Sequence, residues 1–163
     1  MAYTASQMSA ASVSSWDQIP TQDLVALSTS DWISFGTAGL HSRLNTLTAT
    51  QWSRIETQDI AVLSATQWQA VGATGLNGMV AAQWAAVSTE GINALQASQW
   101  QQMATDDLRA LTASQWAVVS DTKVNLLSQA QWNGLTTSDL NDIPTSVWSQ
   151  VTAANLNYLT AQQ

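Results

Sequence analysis

The chain has 163 residues, 45% of them apolar and only 9% charged, with a formal net charge of −7. Such a chain can build one sizeable core or one elongated array, and with only Arg43, Arg54, Arg109 and Lys123 positive, it is not expected to bind nucleic acid or an anionic membrane surface. It contains no cysteine, which rules out a disulfide framework and a thiolate metal site.

The opening stretch MAYTASQMSA lacks the basic and apolar regions of a secretory signal. From Thr4 onward the sequence runs in octads. Numbered from the usual Ser or Thr, each octad is apolar at positions 5 and 8: Met8 in the first, Trp16 and Ile19 in the second, Leu24 and Leu27 in the third, Trp32 and Phe35 in the fourth. The fifth unit, residues 36 to 47, is four residues longer, with Leu40, Leu44 and Leu47 at i, i+4 and i+7. That spacing predicts an octad whose helix has gained one turn, so deleting Arg43 to Thr46 is expected to leave a folded rod.

From Thr48 the octads are regular, as in LTATQW, LSATQW, LQASQW and LTASQW. The weakest unit by propensity is GATGLNGM, 72 to 79, since each of Gly72, Gly75 and Gly78 costs on the order of 1 kcal/mol relative to Ala in a helix. Pro20 and Pro144 both stand at position 1, where a helix start needs no N–H. In PTQDL, ETQDI, ATDDL and PTSVW the cap is expected to slide by one residue. The chain runs to TAQQ, the opening half of a further unit.

Position 5 alternates between a smaller residue and tryptophan: Trp16, Trp32, Trp52, Trp68, Trp84, Trp100, Trp116, Trp132 and Trp148. Residues three apart share a helix face and never one face of a strand, so each octad is predicted to be a helix of about one and a half turns. Thr or Ser at position 1, Gln at position 4 and a preceding Leu against the following Trp form a capping box with a hydrophobic staple. Helices this short are unstable alone and need their neighbours.

The fold class expected is therefore all-α: one solenoid over residues 1 to 163, with two octads per superhelical turn, tryptophans on one side and smaller residues on the other. Nine or ten coils stacked about 8–10 Å apart would make a long rod. The tryptophans are expected to be core rather than a ligand platform, and the neighbouring glutamines are open to either of two competing roles, accepting the indole N–H or completing the cap.

The consensus L-[ST]-x-[ST]-Q-[W/I/V/L]-x-x-L, from Thr4 to Gln163, resembles the octad LTxxQ repeats of large bacterial surface proteins of the adhesin-like or haem-utilisation-like kind. The resemblance implies exposure at the cell surface, an adhesive or scaffolding role and a cell-surface partner. It supplies no catalytic residues, and the regular tryptophan departs from the plainer Ile, Val and Leu versions.

No catalytic motif is present. His41, beside Ser42 and Arg43, is the one place where acid–base chemistry can be imagined, and Asp106 with Asp107 is too sparse for a hard cation. No catalytic residue, metal or cofactor is expected, and the chain is not read as an enzyme. The leading expectation is a structural or adhesive rod that binds copies of itself or a surface partner. The alternative is an ice-binding face built from Ser/Thr rows such as Thr48, Thr112 and Ser128. The ends are predicted to meet head to tail through Met1, Tyr3, Met8, Tyr158, Leu159 and Gln163, giving a filament.

Overall fold

A computed structural model describes residues 3–9, 16–37 and 40–163, with the side chains of Thr37, Leu40 and His41 left out. Seventeen α-helices follow one another among these residues, separated by two to a few extended or turn residues, and no strand occurs. All but one are four to six residues long, as the octad demands.

The capping boxes form as the sequence predicts. Thr48, Ser64, Thr112, Ser128 and Thr136 each accept the N–H of position 4, whose Gln or Asp side chain accepts the N–H of position 1 in return. The cap does not slide in the other octads: Pro20, Glu56, Ala104 and Pro144 are themselves the N-caps, and Thr21, Thr57, Thr105 and Thr145 are the first helical residues. Keeping the cap at position 1 keeps positions 5 and 8 on the core, which outweighs a hydroxyl cap worth about 1 kcal/mol.

The core is one continuous cluster of the position 5 and position 8 residues. Trp16 through Trp132 are fully buried, while Trp148 is only partly covered. Their packing partners differ from the expectation of two octads per turn. Helix Ala65–Ala70 packs on Thr89–Ala94, Thr57–Ala61 on Ala81–Ala86, and Arg109's helix Thr105–Arg109 on Gln129–Gly134. In each case the partner lies three octads along. Glutamine bonds described below reach back four octads, so a coil takes between three and four octads.

The physical reason is the girth of the interior. Two helices per turn could not enclose a column of indoles, whereas three to four surround it. Octads two apart then sit on opposite sides of the coil, and their rings meet across the axis: Trp68 and Trp84 lie 6.3 Å apart between centroids, Trp100 and Trp116 6.2 Å, and Trp132 and Trp148 5.9 Å. The tryptophans therefore fill the middle from alternating sides instead of forming a stripe on one side. The rod has fewer, wider coils and is correspondingly shorter.

The longer unit also differs from the expected single longer helix. Its extra length is shared between Thr29–Thr37, which overruns to nine residues, and a seven-residue 3-10 helix, Leu40–Thr46. Leu44 and Leu47 reach the core. The 3-10 form rises more per residue than an α-turn, which spans the coil without adding a whole helical turn.

Candidate functional site

In six Trp octads, those of Trp52, Trp68, Trp84, Trp100, Trp116 and Trp132, position 4 is a glutamine that does two jobs. Its Oε1 completes the cap of its own helix, as where Gln99 Oε1 accepts the Gln96 N–H at 2.6 Å. Its Nε2 crosses to the coil beneath and donates to two carbonyls there, or in Gln67 to one. Gln99 reaches Trp68 O and Val71 O, both at 2.7 Å; Gln115 reaches Trp84 O and Val87 O, both at 2.7 Å; Gln131 reaches Trp100 O at 3.0 Å and Met103 O at 2.9 Å. The acceptors are positions 5 and 8 of the octad four units earlier. Position 8 offers its carbonyl because it leaves the helix in an extended conformation, as Met103 does with ψ 135.

Because both ends of the amide are used, glutamine does not serve the indoles. Seven of them, Trp32 through Trp132, bury their N–H without closing a well-formed hydrogen bond, with Trp32 and Trp84 turned toward the carboxyls of Asp59 and Asp107. Only Trp16 and Trp148 donate, to Met8 O at 3.3 Å and Leu140 O at 3.2 Å. Each unsatisfied donor costs about 1–3 kcal/mol, which the burial of the large indole surface has to exceed. The Trp52 and Trp68 indoles lie so close to Gly75 and Gly91 that a Cβ there would stand 2.7 and 2.6 Å from the indole nitrogen. Gly75, read from sequence as a weakness, and Gly91 are thus places where the backbone closely approaches a ring.

Position 4 varies in the other octads. Pro20 has no N–H to cap, and the Asp23 carboxylate instead accepts the Tyr3 N–H at 2.8 Å. Asp59 and Asp107 are buried and face indoles, and desolvation holds both carboxyls above the ordinary carboxylate value. Lys123 stands where glutamine stands elsewhere: its Nζ donates to Ile92 O at 3.2 Å and Asn93 O at 2.6 Å and lies 5.8 Å from the Trp100 ring centroid. Burial pushes its ammonium below its ordinary value.

Asn77 and Asn125 were not singled out by the sequence reading, yet each bridges two coils. Asn77 Nδ2 donates to Gln102 O at 3.1 Å while its Oδ1 accepts the Ala104 N–H at 2.9 Å, and Asn125 repeats this with Gln150 O and the Thr152 N–H. The available signal was the same residue at the same octad position in both.

No arrangement suited to catalysis emerges among the described residues. The side chain of His41 and all of Met1 lie outside them. Asp106 pairs with Arg109 at 3.5 Å on the surface, and no cluster of three His, Cys, Asp or Glu could hold a metal among the described residues. Three open clefts of about 260 to 350 Å³ mark the surface, one of about 260 Å³ being lined by Leu135, Thr136, Thr160 and Gln163 beside the last coil. No helix among the described residues is long and apolar enough to cross a membrane. The Thr48 and Thr112 hydroxyls both accept an N–H and donate to Gln51 and Gln115, and the Ser128 hydroxyl accepts the Gln131 N–H, so the rows expected to meet ice are occupied in capping.

The proposed end residues are placed unevenly. Met8 is fully buried and Tyr3 is 38% exposed. Tyr158 and Leu159 are half-buried, and Leu156, expected in the core as a position 5 residue, is instead 43% exposed where Leu108 and Leu140 at the same octad position are 0% and 6%. Gln163 is already clasped to Trp132 O at 2.8 Å and Leu135 O at 2.7 Å.

No family model matches the chain, and neither curated proteins nor solved structures include a match.

Proposed function

We propose that the protein is a structural rod that self-associates, with an adhesive or scaffolding role toward a cell-surface partner as the octad resemblance implies. The observation that supports this reading most directly is the repeated clasp. Most polar side chains that enter the interior among the described residues join one coil to the next, and a stiff, additive stack of this kind is what a spacer or fibre requires.

Sedimentation velocity across about a hundredfold range of concentration tests the reading. A rising sedimentation coefficient with elongated particles in electron micrographs is the expected outcome. A single monomeric species throughout, at low and high salt, would overturn it.

A further inference from the structure

Two Asn-Gly pairs occur in the chain, Asn77–Gly78 and Asn133–Gly134, and both fall at positions 6 and 7 of their octads. Both asparagines are exposed at the end of a short helix, and both glycines are packed on a neighbouring one: a Cβ on Gly78 would lie 2.7 Å from Ala49 Cα, and one on Gly134 would collide with the Thr105 side chain. The exposure of Asn133 belongs to its position. Gln69, Ala85, Gln101 and Ala117, at position 6 of Trp octads with further units on both sides, are exposed as well. Asparagine before glycine is the pair in a polypeptide that loses its side-chain amide most readily, because glycine has no Cβ to keep the next main-chain nitrogen away from the asparagine Cγ.

The two pairs differ in what holds the side chain. Asn77 is clasped at both ends, its Nδ2 donating to Gln102 O at 3.1 Å and its Oδ1 accepting the Ala104 N–H at 2.9 Å. For its Cγ to swing toward the Gly78 nitrogen, both bonds have to break. Among the described residues the Asn133 side chain has no hydrogen-bond partner. It needs only the fraying of the last turn of Gln129–Gly134 to bring Cγ and the Gly134 nitrogen together.

We infer that Asn133 is a site of spontaneous covalent modification, converting to aspartate and isoaspartate in the folded protein, while Asn77 is kept unreactive by its clasp across two coils. The Gly134 nitrogen gives its proton to hydroxide and attacks the Asn133 Cγ; a C–N bond forms, and the side-chain nitrogen takes a proton from water and leaves as ammonia. Water then opens the cyclic imide at either carbonyl. One opening gives aspartate, and the other gives isoaspartate, with the main chain routed through the former side chain. A water is consumed, an ammonia is released and no oxidant or reductant takes part. The change falls on a joint of the rod, since helix Gln129–Gly134 packs on Thr105–Arg109. Isoaspartate lengthens the main chain by a methylene beside Gly134, where a Cβ already finds no room, and loosens that joint.

The test holds the full chain in mildly alkaline buffer, native and in denaturant, and follows the mass gain of amide-to-acid conversion by peptide mapping with fragmentation. Cleavage at Arg109 and Lys123 places Asn77 and Asn133 in different tryptic peptides. Conversion at Asn133 about tenfold or more faster than at Asn77 is expected in the native chain, because two hydrogen bonds must open first at Asn77, with similar rates at both once the chain is unfolded. Ala104→Pro removes the N–H that Asn77 accepts. Ala104 has φ −67 and Met103 before it ψ 135, both suited to proline, and Pro20 and Pro144 hold the same octad position. In this variant, its fold verified by circular dichroism, Asn77 converts faster and Asn133 at its former rate. Equal native rates at the two sites, or a native Asn133 that stays an amide while the unfolded chain converts, overturns the inference. An Asn77 rate unmoved by Ala104→Pro overturns protection by the clasp.

Discussion

The regular stretch from Thr48 to Ile143 and the longer unit between Thr29 and Leu47 use the same chemistry with different success. In the regular stretch Gln83, Gln99, Gln115 and Gln131 each hold two carbonyls of the coil beneath. Gln67, which faces the longer unit, holds one, Trp32 O at 3.0 Å. The second is lost because Phe35 remains inside the overrunning helix Thr29–Thr37, so its carbonyl follows the helix axis instead of turning outward. Gly36 allows the amide to pass, since a Cβ there would lie 2.7 Å from Gln67 Oε1. A clasp depends on where the preceding helix stops, since Gln51 spans the same insertion and still holds Trp16 O at 2.9 Å and Ile19 O at 2.7 Å.

The largest expected effect tests the shared core. Trp100→Ala should cost roughly 3–5 kcal/mol by chemical denaturation, the range for a large-to-small change. Trp100→Phe should cost less, because it keeps most of the aromatic volume that Ala leaves as a cavity, while both variants lose the unpartnered indole N–H. Equal losses in the two would mean that a phenyl ring does not fill the space the indole occupies.

Deleting Arg43 to Thr46 follows in size. It removes buried Leu44, the Arg43 bond to Met8 O at 2.7 Å and the Thr46 hydroxyl that accepts the Trp16 N–H at 2.7 Å. A loss of about 2–5 kcal/mol is expected, confined to the units before Thr48, with the regular stretch still protected in amide exchange. A deletion variant as stable as the parent would restore the original expectation of a dispensable turn.

The clasp itself separates the two regions more finely. Gln99→Leu should cost about 2–3 kcal/mol, since it leaves two carbonyls and one cap N–H unsatisfied, and Gln67→Leu about 1 kcal/mol less. Identical losses measured in the same denaturant series would show that the second carbonyl contributes nothing.

The smallest effects concern pH. Burial raises the Asp59 and Asp107 pKa values, so their contribution favours folding fully below the ordinary carboxylate value of 3.8 and is lost as pH rises through the raised ones. Asp107→Asn should therefore stabilise the protein at neutral pH and flatten the rise in stability on mild acidification. Lys123 works in the opposite sense: its lowered pKa leaves a burial cost at neutral pH that disappears as pH rises toward 10.5. Lys123→Gln, which restores the neutral amide used elsewhere, should raise the melting temperature at pH 7 with a benefit that shrinks in alkali.

Much of the local structure was legible in the sequence because it depends on residues within one octad. Position 1 caps position 4, and positions 5 and 8 share a helix face, so helix starts and core residues follow from spacings of three alone. The end surface was legible only in part. The half-octad TAQQ and Tyr158 with Leu159 drew attention to the last coil, while the burial of Met8 and the exposure of Leu156 depend on which neighbours happen to cover them.

By itself the sequence determined that the chain is an all-α array of short helices, one per eight-residue unit, with tryptophan inside every second one. The tertiary structure alone decided how many helices make a turn, and therefore that tryptophans face one another across the axis. That number is set by non-local terms: the width of a ring-filled interior, and a glutamine amide that must find carbonyls 28 and 31 residues away. An octad pattern is equally compatible with two, three or four units per turn, and only the packing of distant units against each other distinguishes them.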